Sequence, residues 1–218
     1  MKLLAFLLGS LLAAQTIVTF GDSLTAPRSG VATYSDLLAK QLGAAVKVIN
    51  RGVPGNTSEQ ARARFARDVL AAHPDLVIIQ LGTNDSAVDV WKDPPASAPR
   101  VEVARFRANL QYFVKELRAA KCRVILLTPS RLAWTPKLRQ MYGRAPYDPE
   151  SEDGFNVMLD GYSDVVRGLA LREKLPLADT APVLTSAHLL DGMHPSSAGH
   201  RLVSELLLPL VRRELSRR

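Results

Sequence analysis

The run Asp75-Leu76-Val77-Ile78-Ile79-Gln80-Leu81, followed at once by Gly82-Thr83-Asn84-Asp85, decides the fold. It is short, β-branched and almost continuously apolar, and it ends in a glycine turn, which is the pattern of a strand buried on both faces. Working outward, residues 16–20, 46–50 and 123–128 read as strands, most of them apolar throughout, and 176–179 as a weaker fifth. Between them Tyr34, Leu37, Leu38 and Leu42 recur at helical spacing, as do Leu110, Phe113, Val114 and Leu117. Helices are also predicted over 58–72, 155–174 and 197–215. Strands alternating with helices imply right-handed crossovers and a doubly wound parallel α/β sheet.

The composition fits one domain of that kind. With 218 residues, 47% hydrophobic and 22% charged, the chain is neither disordered, collagen-like nor a multi-span membrane protein. Aromatics make up 6%, so the core must be aliphatic. The net charge of +7 invites a nucleic-acid reading, but the basic residues are scattered. Arg212, Arg213, Arg217 and Arg218 sit in the tail, and Arg62, Arg64 and Arg67 share a predicted helix with Glu59 and Asp68. No Lys/Arg run is interleaved with aromatics, so these charges read as a solvated surface, with no nucleic-acid partner. Cys122 is the single cysteine, which excludes an intrachain disulfide or a cysteine metal cluster and predicts a buried, inert thiol.

Residues 1–14 combine Lys2, an apolar stretch and a small-residue end, the pattern of a signal peptide. The expectation is a catalytic domain at 15–218, periplasmic or secreted, with no stable membrane insertion after cleavage. Two proline-rich segments interrupt the alternation, 91–99 and 129–154, and both read as loops. Both follow the carboxyl ends of strands, where parallel sheets bind their ligands.

Four turns meet at that edge. Gly21-Asp22-Ser23-Leu24 follows the first strand, Asn50-Arg51-Gly52-Val53-Pro54-Gly55 the second and Gly82-Thr83-Asn84-Asp85 the third; Asp191-Gly192-Met193-His194-Pro195 lies beyond the fifth. A serine hydroxyl needs a base to become a nucleophile. His194 is the candidate, with Asp191 three residues earlier to fix its ring. His188 is the competing histidine, with capping as its other reading. Gly55 can offer a backbone amide to an oxyanion, Asn84 a side-chain amide, and Ser23 its own N–H. Asp22, Thr83 and Asp85 read as caps and loop braces, and Pro195 as the start of the last helix.

In that order, Gly-Asp-Ser-Leu, Asn-x-Gly-x-x-Gly, Gly-x-Asn-Asp and Asp-x-x-His-Pro resemble the four blocks of the SGNH hydrolases, the GDSL esterase/lipase family. The resemblance runs from residue 16 to about 208. It implies a flavodoxin-like three-layer α/β/α sandwich with a five-stranded parallel sheet, order 2-1-3-4-5, and hydrolysis of small-molecule carboxylic esters through an acyl-enzyme, without metal or organic cofactor. It also implies Ser23 as nucleophile, His194 as general base, Asp191 as its partner, and Ser23, Gly55 and Asn84 as oxyanion donors.

The substrate is less legible. Trp134, Tyr142 and Tyr147, with Arg131, Lys137, Arg139 and Arg144, suggest that the 129–154 insert contacts a polar or anionic leaving group rather than a lipid tail; packing of the insert onto the domain is the other reading of those aromatics. The expectation is a short-acyl esterase, including a carbohydrate O-acetyl esterase. A lysophospholipase or acyl-thioester hydrolase is the alternative on the same site, and a phosphate-ester hydrolase or a non-catalytic binding module stands further off. No phosphate-binding Gly-Lys-Ser/Thr loop is present.

Overall fold

The computed structural model describes residues 14–217, so the expected export segment lies almost wholly outside the described residues. The chain runs β1 (Gln15–Gly21), α1 (Tyr34–Leu42), β2 (Val46–Gly52), α2 (Ser58–Asp68), β3 (Leu76–Gln80), α3 (Val103–Ala119), β4 (Arg123–Leu127), α4 (Pro136–Tyr142), α5 (Leu159–Glu173), β5 (Leu177–Ala178) and α6 (Ser197–Ser216). The strands form one sheet in the order β2-β1-β3-β4-β5, and every pair is parallel.

The side-chain period of two sorts the central strands into two cores. Val18, Phe20, Val77, Ile79, Val124 and Leu126 face Phe65 of α2, Phe113 of α3 and Leu169 of α5. Ile17, Leu76, Ile78, Ile125 and Leu127 face Leu38 of α1 and Val203 and Leu207 of α6. Helices therefore cover both faces, and each such fully buried side chain contributes roughly 1.5–3 kcal/mol of transfer free energy. β2, on the edge, is only half-buried, which is why its Lys47 and Arg51 are tolerated. Cys122 is buried and burial pushes its thiol up to about 12, so it remains protonated. No helix among the described residues is long and apolar enough to cross a membrane.

Several boundaries differ from expectation. The helix predicted over 58–72 ends at Asp68, with a separate turn of 3₁₀ helix at Leu70–Ala72. Pro74 disfavours helical geometry at His73, which sits at φ +46°. The helix expected from 155 starts at Leu159; before it, the Asn156 side chain both accepts from the Leu132 N–H (2.7 Å) and donates to the Leu132 carbonyl (2.9 Å). The last helix opens with Ser196 as its cap, accepting from Gly199 N–H, so Pro195 precedes the helix rather than starting it. The 129–154 insert is not all loop. Thr135 caps α4 and Pro136 occupies its first turn, a position that needs no N–H donor. Leu138, Tyr142, Tyr147 and Phe155 then pack with Val88 and Val90 into a third small core over the carboxyl edge of the sheet.

Gly52 is fixed by a close approach. A Cβ there would lie 2.2 Å from the Ala26 nitrogen and 2.6 Å from the Thr25 carbonyl carbon, so the turns after β1 and β2 touch backbone to backbone. Gly52→Ala is expected to destabilise the protein by about 1–3 kcal/mol, the usual cost of overpacking, read as a lower urea midpoint. An unchanged midpoint would contradict this contact.

Candidate active site

The turn after β1 is built by Asp22. Its carbonyl accepts from Thr25 N–H (3.2 Å) and Ala26 N–H (3.0 Å), and its carboxylate accepts from Leu24 N–H (2.9 Å). Ser23 is thereby left at the apex, half-buried, and among the described residues its amide has no acceptor. Asn50 ties the neighbouring turn down, donating to the Thr25 carbonyl (2.7 Å) and accepting from Gly52 N–H (2.9 Å).

Arg64 corrects the reading of a solvated basic helix. It is buried and donates to the Gly21 carbonyl (2.9 Å), the Arg51 carbonyl (2.9 Å), Asn56 (2.7 Å) and Asp68 (3.1 Å). One guanidinium thus joins the ends of β1 and β2 to the segment bearing Gly55. Gly55 itself is exposed, and its amide also has no acceptor among the described residues.

From the far end of the chain, the Asp191–His194 turn brings the remaining groups. Asp191 Oδ1 accepts from the backbone N–H of Met193 (3.1 Å) and His194 (2.9 Å); Oδ2 lies 2.8 Å from His194 Nδ1. His194 Nε2 lies 3.1 Å from Ser23 Oγ. Partial burial works to raise the Asp191 carboxyl, but the hydrogen bonds from His194 and Met193 outweigh it and hold the group below its ordinary value. Asp191 is therefore ionised at neutral pH and keeps the proton of His194 on Nδ1, leaving Nε2 to accept from Ser23. Gly192 locks the turn to the insert: at φ +83°, it would place a Cβ 2.3 Å from the Ala133 carbonyl oxygen, and its own carbonyl accepts from Ala133 N–H (2.8 Å).

Asn84 is held at both ends of its amide. Its Nδ2 donates to Asp22 Oδ2 (3.3 Å), and its Oδ1 accepts from Arg100 (3.2 Å). The second N–H of the amide has no partner among the described residues. Arg100 is in turn clamped on Asp89, with three contacts of 2.7 to 3.2 Å. Burial pushes the Asp22 carboxyl up to about 7 and that of Asp85 up to about 6. Asp85 acts as a brace, receiving Ser58 N–H at the start of α2 (2.9 and 3.1 Å). The Thr83 hydroxyl does not: it is buried without a partner among the described residues.

The other histidines are engaged elsewhere. His188 Nδ1 accepts from Thr185 N–H (3.2 Å) within its own short helical turn. His200 accepts from Tyr34 N–H (3.3 Å), and burial lowers it to about 4.

The three insert aromatics part company. Tyr142 and Tyr147 are buried, their hydroxyls accepting from Trp91 Nε1 (3.2 Å) and Val88 N–H (2.8 Å). With Asn84, Leu132, Phe155 and Met193 they line a small cavity of about 60 Å³. Trp134 stacks on Phe155 (4.4 Å between centroids) and faces a different cavity of about 550 Å³ that touches neither Ser23, Gly55, Asn84, Asp191 nor His194. Two of the insert's four cations are engaged: Arg131 pairs with Asp153 in the insert and Asp160 in α5, and Arg139 reaches the Pro149 carbonyl.

Sequence reasoning missed Asn50, Arg64, Asp89 and Arg100. It also missed Arg28, which lies 3.9 Å from Asp191 Oδ2.

A hydroxyl on the base nitrogen of a carboxylate-held histidine is the equipment of acyl transfer. Comparison with known proteins agrees. The chain is 29% identical to an uncharacterized lipoprotein of Bacillus subtilis, over 88% of this chain and 87% of that one. It is 27% identical to an acetylxylan esterase of Geobacillus stearothermophilus, over 75% and 71%. It superposes on the crystal structure of a lipase/acylhydrolase from Enterococcus faecalis with a TM-score of 0.71 at 27% identity, over 91% and 96%. The model of the GDSL-like lipase/acylhydrolase family matches residues 19–202, and the chain belongs to that family of carboxylic ester hydrolases.

Proposed function

We propose that the protein hydrolyses short-acyl esters, foremost acetyl esters of polar alcohols such as carbohydrates, through an acyl-enzyme on Ser23. The observation that carries the chemistry is the continuous chain from Ser23 Oγ through His194 to Asp191, at 3.1 and 2.8 Å. In the first half-reaction Ser23 Oγ attacks the ester carbonyl carbon while its proton passes to His194 Nε2. The carbonyl π electrons move onto oxygen, which receives hydrogen bonds from the amides of Ser23 and Gly55 and from Asn84. Collapse breaks the bond to the alkoxy oxygen, and His194 returns the proton to the departing alcohol. Water then repeats the sequence: His194 takes its proton, the acyl group leaves as the acid, and Ser23 is regenerated. Asp191 stays ionised throughout, stabilising the imidazolium formed in each half-reaction.

Two observations favour a small acyl group. The cavity against Asn84 is small, about 60 Å³, which suits an acetyl group better than an alkyl tail. The related Geobacillus protein is an acetylxylan esterase. In a series of p-nitrophenyl esters from acetyl to palmitoyl, kcat/KM should peak at acetyl or propionyl and fall at least about ten-fold by octanoyl. A maximum at octanoyl or beyond would overturn the short-acyl assignment in favour of a lysophospholipase or acyl-thioesterase. The apolar stretch after Lys2 supports export of the enzyme; N-terminal sequencing of the mature protein should start near residues 14–16.

A further inference from the structure

Trp91 belongs to the proline-rich 91–99 segment, which the catalytic assignment leaves without a role. Its side chain is 45% exposed, the one aromatic among the exposed large hydrophobic side chains of the described residues. It is not loose, because its indole N–H donates to the Tyr142 hydroxyl (3.2 Å). The ring lines an open cleft of about 490 Å³ together with Gly55, Gln60, Asp89, Lys92 and Arg100, a size within the range of about 300–1,000 Å³ usual for small-molecule sites. Two of those residues connect it to the reaction: Gly55 carries a free amide, and Arg100 bonds Asn84. The cleft and the small acyl cavity share Arg100 as a wall, so the scissile carbonyl would sit between a pocket for the acyl group and a cleft for the alcohol.

The lining identifies the class of alcohol. Asp89 is paired with both Arg100 (2.7 Å) and Lys92 (2.8 Å), and Lys92 Nζ stands 5.6 Å from the Trp91 ring centroid. Charges so compensated offer little net attraction to an anion, and their density is unsuited to a lipid tail. Fixed donors and acceptors around one flat aromatic face suit a ring with apolar C–H faces and hydroxyls at its edge. We propose that this cleft is the leaving-group subsite, that it takes a carbohydrate unit against Trp91, and that Arg100, Lys92 and Gln60 bond its hydroxyls. This rests on the esterase assignment above.

The test compares acetylated xylobiose, which can span the cleft, with ethyl acetate, whose alcohol is too small to reach Trp91. Trp91→Ala should lower kcat/KM on acetylated xylobiose about ten-fold more than on ethyl acetate, with most of the difference in KM. Trp91→Phe, which keeps a flat face but loses the N–H, should recover most of it. Equal losses on the two substrates, or no loss on the sugar ester, would overturn the subsite and leave the esterase assignment standing. Failure of the unaltered protein to turn over either ester would overturn both.

Discussion

Ser23→Ala should reduce kcat/KM on an acetyl ester by about 10⁴-fold or more while leaving the urea midpoint within error of the parent. The size of the loss follows from what the hydroxyl does. Among the described residues His194 has no other nucleophile in hydrogen-bond reach, since its Nε2 contacts Ser23 Oγ at 3.1 Å and its Nδ1 is committed to Asp191. Without Oγ, the remaining route is water attacking in the presence of the oxyanion donors, which retain only part of the rate enhancement. Stability should be insensitive, because the Asp22 carbonyl and carboxylate build the turn and the Ser23 hydroxyl does not. Retention of more than a tenth of the parent activity would refute Ser23 as the nucleophile. A large loss accompanied by a lowered urea midpoint would mean that the turn, rather than the nucleophile, had been removed.

The parallel sheet and the turns that carry the five proposed site residues were legible because they are local statements. Leu76 to Ile79 can be little other than a strand buried on both faces, and Ser23 and His194 each stand in a short turn with its own glycine. Legibility failed where a long side chain reaches across the fold. Arg64 looks like one of three solvent-facing arginines, and nothing within α2 says that its guanidinium ends on the Gly21 carbonyl, 43 residues away. Arg100 falls after a proline-rich stretch with no local signal at all, yet it orients Asn84. Asn50 does carry a signal, as a side chain able to close a turn two residues before Gly52, and it does so, accepting from the Gly52 N–H. In the insert Pro136 is ambiguous: it marks a loop by composition, whereas a proline after a capping threonine is equally the first residue of a helix. The insert's aromatics share one stretch of sequence, but tertiary packing sends Tyr142 and Tyr147 to the cavity against Asn84 and Trp134 elsewhere.

Asn84→Ala is expected to lower kcat by about 10²–10³-fold, the loss that follows removal of one oxyanion donor, with little change in KM. The split follows from when the interaction forms: the amide N–H meets full negative charge in the tetrahedral intermediate and only a carbonyl dipole in the bound substrate. The amide is already aimed, with Nδ2 on Asp22 and Oδ1 on Arg100, so no reorganisation offsets its contribution. Alanine also removes those two anchors, so a structural explanation must be tested separately. Asn84→Asp supplies the control. It is nearly isosteric and keeps an acceptor for Arg100, but it has no N–H and places negative charge where the oxyanion develops. If Asn84 acts as a donor, the aspartate variant should be at least as impaired as the alanine one although Arg100 remains paired. If Asn84 only anchors Arg100, the aspartate variant should recover activity, and the oxyanion role would have to be given up.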